Sequence, residues 1–173
     1  MKFLKILLIA FLFPLGVHAQ GWDSTAYRQI EKSISIPTFS NRSFVITKYG
    51  ASIKATAAKN QMAINKAITA CSEAGGGKVI IPEGTWKTGA ITLKSHVNIV
   101  VEKGATLLFA FDTKLYPIVK TRWEGMDCMN YQPCIYAYQA KDIAITGEGT
   151  IDGNGSNETW WKMCGKEAFG WTT

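Results

Sequence analysis

The stretch Gly75-Gly76-Gly77-Lys78-Val79-Ile80-Ile81-Pro82-Glu83-Gly84-Thr85 decides the fold, because the period of the apolar residues changes within it. Upstream, over residues 59–73, Ile64, Ala67, Ile68 and Cys71 recur at intervals of three and four in Ala-rich surroundings, which predicts one amphipathic helix. The glycine triplet ends that helix by supplying the positive-φ conformations a helix stop needs. Downstream, Val79-Ile80-Ile81 opens a series of short β-rich runs, and Pro82-Glu83-Gly84 is turn chemistry.

Further runs follow at 91–93, 97–101, 107–109, 135–138, 143–145 and 150–152, with Thr88-Gly89, Lys103-Gly104 and Gly147-Glu148-Gly149 at joins between them. Val97, Ile99 and Val101 alternate, as do Ile143 and Ile145, so each run turns one face inward and one outward. Short strands at spacings of roughly 8–12 residues predict a sandwich, a barrel or a β-solenoid. No Asn-Gly or Asp-Gly joins two alternating runs as a tight hairpin, since Asp152-Gly153 leads into polar residues. A parallel coil with a glycine-bearing turn for each strand therefore fits better than a meander. On the other side of the helix, residues 44–47 read as a strand, and the polar stretch 21–38, with Pro37 near its end and no clear period, reads as a linker.

Lys2 and Lys5 precede an apolar run at 6–17 that ends in Val17-His18-Ala19, which predicts a secretory signal peptide cut between Ala19 and Gln20. The run is shorter than the roughly 20 residues that span a bilayer, so the expectation is a secreted or periplasmic protein with no membrane attachment after cleavage. Cleavage lowers the formal charge of +6 by two lysines and leaves about 150 residues, the usual length of one domain. The remaining basic residues are scattered singly, which argues against nucleic acid as a partner and gives only a weak bias toward a polyanion.

An exported chain can keep disulfides, and Cys71, Cys128, Cys134 and Cys164 allow three full pairings. Cys128 and Cys134 are close enough for a small loop bridge, while Cys71, on the apolar face of the helix, reads as a buried free thiol. With His96 the one histidine after the cut and no paired cysteines of zinc spacing, neither a metal nor a cofactor is expected.

Tyr49-Gly50-Ala51, Ala63-Ile64-Asn65-Lys66-Ala67-Ile68, the quoted Gly75–Thr85 stretch and Gly104-Ala105-Thr106-Leu107 resemble the opening of the family 28 glycoside hydrolases. Arg122-Trp123-Glu124-Gly125, Ile143-Ala144-Ile145-Thr146-Gly147-Glu148-Gly149-Thr150-Ile151-Asp152-Gly153-Asn154-Gly155 and Trp160-Trp161 are similar to its bacterial polygalacturonase-like members. One departure is local: where the family shows a Gly-Asp-Gly type loop, this chain has Ser52-Ile53-Lys54-Ala55-Thr56-Ala57-Ala58. The resemblance implies an all-β fold, a right-handed parallel β-helix whose first turn is covered by the helix at 59–73. Together with the signal peptide (1–19) and the linker (20–43) read above, it implies that 44–173 is the N-terminal part of the β-helix domain, truncated at its C-terminal side. It further implies hydrolysis of α-galacturonosyl links in pectin, an acidic plant polysaccharide.

Inverting hydrolysis of a glycoside uses one carboxylic acid on the leaving oxygen and one carboxylate on the attacking water. The family supplies these from an Asn-Thr-Asp segment and an Asp-Asp pair, with Gly-His-Gly and Arg-Ile-Lys segments beside them, and none of the four occurs in this sequence. No catalytic residue is therefore assigned, and the 173 residues alone are expected to be inactive. A non-catalytic, polysaccharide-binding or structural β-helix is the alternative. His96, Glu83 and Asp152 each read as turn residues, and Trp160-Trp161 as core packing. The candidate substrate contacts are Arg122, Trp123 and Glu124, with Tyr131, Tyr136 and Tyr138 nearby, because an aromatic face stacks on a sugar ring and arginine pairs with a uronate carboxylate.

Overall fold

The computed structural model describes residues 24–163, so the expected signal peptide and Cys164 lie outside the described residues. The chain divides at Ile36 and Pro37 into two units. In the first, Ser24–Ser33 forms helix α1, where the sequence reads as linker. Ala26, Arg28, Gln29, Glu31 and Lys32 are good helix formers, so local propensity rather than a core-facing stripe makes this helix. None of its residues is buried.

The second unit opens with β1, Ser43–Val45, which gives way at once to a 3₁₀ turn over Ile46–Tyr49 and ends on Gly50. Helix α2 spans Ala57–Glu73, two residues earlier than the apolar period suggests, because Thr56 caps it by accepting the Lys59 N–H on its hydroxyl. Its buried row is Asn60, Ala63, Ile64, Ala67, Ile68 and Cys71. The helix stops where Gly75 and Gly76 take φ of 84° and 91°. At Gly76 no other residue fits, since a Cβ there would lie 2.5 Å from the His96 carbonyl oxygen.

The strands that follow are β2 (Gly77–Ile81), β3 (Gly84–Thr88), β4 (Ile91–Thr92), β5 (Val97–Val101) and β6 (Ala105–Phe109). After them come β7 (Ile118–Trp123), β8 (Met126–Tyr131), β9 (Ile135–Tyr136), β10 (Ala144–Gly147) and β11 (Thr150–Asp152). Three parallel sheets result, ordered β1-β2-β5-β10, β3-β6-β11 and β4-β9. The chain thus visits the sheets in one repeating order: β2, β3, β4, then β5, β6, β9, then β10, β11. Register is tight, with Val79 opposite Ile99 and Trp86 opposite Leu107.

Inward residues of successive strands fill one core: Val79 and Ile81, Val97, Ile99 and Val101, Leu107 and Phe109, closed on one side by Ile64 and Ile68 of α2. Burial of each such side chain contributes about 1.5–3 kcal/mol. Strand β3 was not apparent in the sequence, because Gly84-Thr85-Trp86-Lys87-Thr88 carries only Trp86 as a large apolar residue. Its inward positions are Trp86 and Thr88, both buried.

Polar side chains of α2 meet the first edges of the second and third sheets. Asn60 donates from Nδ2 to the Lys87 carbonyl at 3.0 Å and accepts the Ser52 N–H at 2.9 Å. Gln61 Nε2 donates to the carbonyls of Ala90 and Leu115 at 2.9 and 2.8 Å, and Asn65 Oδ1 accepts the Thr92 N–H at 2.8 Å. Open strand edges carry unpaired backbone groups. Here the helix answers them with amides as well as covering the apolar cross-section.

Candidate functional site

Between β6 and β9 the repeating order is interrupted by an antiparallel hairpin of β7 and β8, paired from Ile118 with Tyr131 to Trp123 with Met126. No Asn-Gly or Asp-Gly stands at this turn, and a tight hairpin forms without one. The two-residue loop is Glu124-Gly125, with φ of 47° and 86°, the left-handed pair that a primed turn requires. Glutamate is an uncommon first residue for that turn, which is why a search for Asn-Gly or Asp-Gly passes over it. Arg122 reinforces the loop by donating from Nη2 to the Gly125 carbonyl at 2.9 Å.

Directly paired residues of an antiparallel ribbon share a face, and successive residues alternate. One face therefore carries Lys120, Met129, Arg122 and Asp127, and the other carries Thr121, Cys128, Trp123 and Met126. The three candidate contacts separate accordingly. Arg122 joins a groove of about 360 Å³ lined by Lys120, Thr121, Asp127, Tyr136 and Tyr138. Trp123, 63% exposed, lies beside Met126 on the opposite face, and Glu124 occupies the turn itself.

Two cations and one carboxylate set the charge of the groove. Asp127 Oδ1 lies 3.5 Å from Arg122 Nε, and its Oδ2 lies 3.6 Å from Lys120 Nζ, with all three side chains well exposed. Tyr136 fixes the groove against the hairpin by donating its hydroxyl to the Lys120 carbonyl at 2.9 Å. No sequence pattern marks Lys120 and Asp127, because only the hairpin register brings them beside Arg122.

The remaining titratable candidates are structural. Asp152 accepts the Asn154 N–H on Oδ1 at 2.7 Å, a turn closed by its own side chain. His96 enters β5 with φ of 65° and pairs through Nδ1 with Asp142 at 3.2 Å, Asp142 itself having φ of 51°. Gly76, His96 and Asp142 stand in register at the same turn of successive passes, and His96 N–H donates to Lys141 O at 2.9 Å. Glu83 is exposed in its turn.

Cys71 is a buried free thiol, its pKa pushed up by burial and partly drawn back by Arg42. Cys128 and Cys134 are free as well, so the small loop bridge does not form. Cys128 sits mid-strand in β8, whereas Cys134 lies beside Tyr116. Trp160 packs edge-on against Phe111 and Tyr116, with ring centroids 5.0 and 5.2 Å away. Trp161, expected in the core, is exposed. A short 3₁₀ turn places the two tryptophans on different sides.

Comparison with known proteins decides the relationship. A Thermotoga maritima exopolygalacturonase of known structure superposes with a TM-score of 0.76 at 35% identity, over 86% of this chain and 33% of that one. The chain is related to the polygalacturonases. A family 28 exopolygalacturonase of Yersinia enterocolitica matches with a TM-score of 0.57 at 31% identity, over 67% of this chain and 21% of that one. A protein of Vitis vinifera described as a probable polygalacturonase is 34% identical over 94 residues, 51% of this chain. No family model matches the sequence. The chain spans about a fifth of the length of the curated relatives it matches, 19% in each case.

Proposed function

We propose that residues 44–173 form the N-terminal part of a right-handed parallel β-helix domain in a glycoside hydrolase of the polygalacturonase type, acting on pectin. The observation that carries this reading is the 0.76 TM-score against an exopolygalacturonase over 86% of the chain. The repeating sheet order and the strand register support the coil. Helix α2 acts as its cap, with Asn60, Gln61 and Asn65 satisfying the first strand edges. The apolar run at 6–17 and the Val17-His18-Ala19 site support export, with residues 20–43 leading from the cleavage point to the domain.

In this reading Arg122 meets a uronate carboxylate, and Trp123 and Glu124 contact a polysaccharide crossing the hairpin tip. Support comes from Lys120 and Arg122 on one face of the hairpin and the exposed Trp123 ring on the other. The acid and base of the reaction belong to the Asn-Thr-Asp and Asp-Asp segments, which these 173 residues do not contain. The chain alone therefore binds polygalacturonate without cleaving it. The test is reducing-sugar release from polygalacturonate by the product of the whole gene, beside a pelleting assay on the 173 residues. Release by the former and binding by the latter are expected. Binding without release from either preparation would favour a non-catalytic polysaccharide-binding protein.

A further inference from the structure

We propose that Asp127 occupies the carboxylate position of the hairpin groove, so that a uronate binds by displacing it and Asp127 restrains the groove's affinity for free acid groups. The inference rests on the reading of Arg122 as a polygalacturonate contact. Its basis is the geometry of the Lys120, Arg122 and Asp127 cluster. Charge-assisted hydrogen bonds between nitrogen and carboxylate run at about 2.7–2.9 Å. Asp127 stands 3.5 Å from Arg122 and 3.6 Å from Lys120, between the two cations and in close contact with neither. It balances their charge without saturating their donors.

A guanidinium has five N–H groups and an ammonium three. Arg122 commits one to the Gly125 carbonyl, and that bond keeps the guanidinium at the hairpin tip with the rest available. Lys120 is held at its backbone by Tyr136 while its ammonium is exposed. Tyr136 and Tyr138 supply aromatic surface along the same groove. An incoming carboxylate that reaches hydrogen-bond distance of both cations makes the bonds Asp127 does not make. Asp127 then swings into water, which costs little at a site this exposed. A neutral ester of the same sugar brings no charge to compete with.

The experiment is equilibrium binding of a purified hexamer of galacturonate, and of its methyl ester, to the 173-residue chain and to Asp127→Asn and Arg122→Met. Circular dichroism would confirm the fold of each variant. Exposed ion pairs of this kind change an equilibrium by about two- to five-fold. Asp127→Asn should therefore bind the free-acid hexamer about two- to five-fold tighter, bind the ester unchanged, and lose its advantage as salt is raised. Arg122→Met should bind the free acid more weakly. If Arg122→Met weakens binding but Asp127→Asn leaves it unchanged or weaker, the inference is overturned and the groove remains a uronate site. If Arg122→Met binds as tightly as the parent, the groove reading falls and the inference with it.

Discussion

Asn65 and Thr92 join the helix to the first strand of the third sheet: the Asn65 side-chain Oδ1 accepts the Thr92 N–H at 2.8 Å, and its Nδ2 donates to the Ala90 carbonyl at 3.3 Å. One side chain thus answers two backbone groups of an edge that no strand among the described residues covers. Helix α2 therefore meets the sheets through polar as well as apolar side chains.

Replacing Asn65 by leucine keeps the size of the side chain and removes both bonds. A buried backbone group left without a partner costs about 1–3 kcal/mol. Urea unfolding of Asn65→Leu should show a loss in that range. Asn60→Leu, which strands the Lys87 carbonyl and the Ser52 N–H, should lose a similar amount.

Gly76→Ala should be among the most damaging single changes. Its φ of 91° is foreign to alanine, and the added methyl would lie 2.5 Å from the His96 carbonyl oxygen and 2.6 Å from His96 Cβ. A backbone contact cannot swing aside as a side chain can. A loss of more than about 2 kcal/mol, seen as a lowered Tm or as insoluble product, is expected.

At the hairpin the prediction runs the other way. Glu124 holds φ of 47°, a conformation in which asparagine is preferred. Glu124→Asn should stabilise the chain by a few tenths of a kcal/mol up to about 1 kcal/mol, with Arg122 still bonded to Gly125. Thermal unfolding of the two proteins side by side would show it.

Burial raises the pKa of Cys71, and burial chiefly raises those of Cys134 and Tyr116. A group whose folded pKa stands above its unfolded one contributes stability that is complete below the unfolded value and is lost as pH rises through the folded value. The urea midpoint should therefore be insensitive to these groups at pH 7 and should fall above about pH 9, where the unfolded thiols ionise first. Cys71, fully buried, should react with a thiol reagent more slowly than the partly exposed Cys128.

Much of the architecture is legible in the residue pattern, because period carries it. Ile64, Ala67, Ile68 and Cys71 mark the buried face of α2, and the alternation of Val97, Ile99 and Val101 marks β5 with its observed bounds. The pattern fails where period is weak. Helix α1 has few apolar residues, and β3 has one large one. The hairpin is hidden for a different reason: its turn uses Glu124 where a smaller polar residue is the usual signal, and the ribbon is mostly exposed, with apolar residues on both faces, so no polar-apolar alternation marks its strands. The groove is built on that hairpin and is hidden with it. Arg122 is visible as a candidate, but its partner Asp127 becomes a neighbour only once the register of β7 and β8 is known.

The most direct test of the central claim is the coding DNA beyond the codon for Thr173. An open frame of some length that encodes an Asn-Thr-Asp segment, an Asp-Asp pair and a Gly-His-Gly segment is the predicted result, and it would supply the acid and base that inverting hydrolysis needs. A stop codon directly after Thr173, or a continuing frame without paired aspartates, would contradict the hydrolase reading and leave a polysaccharide-binding coil in its place.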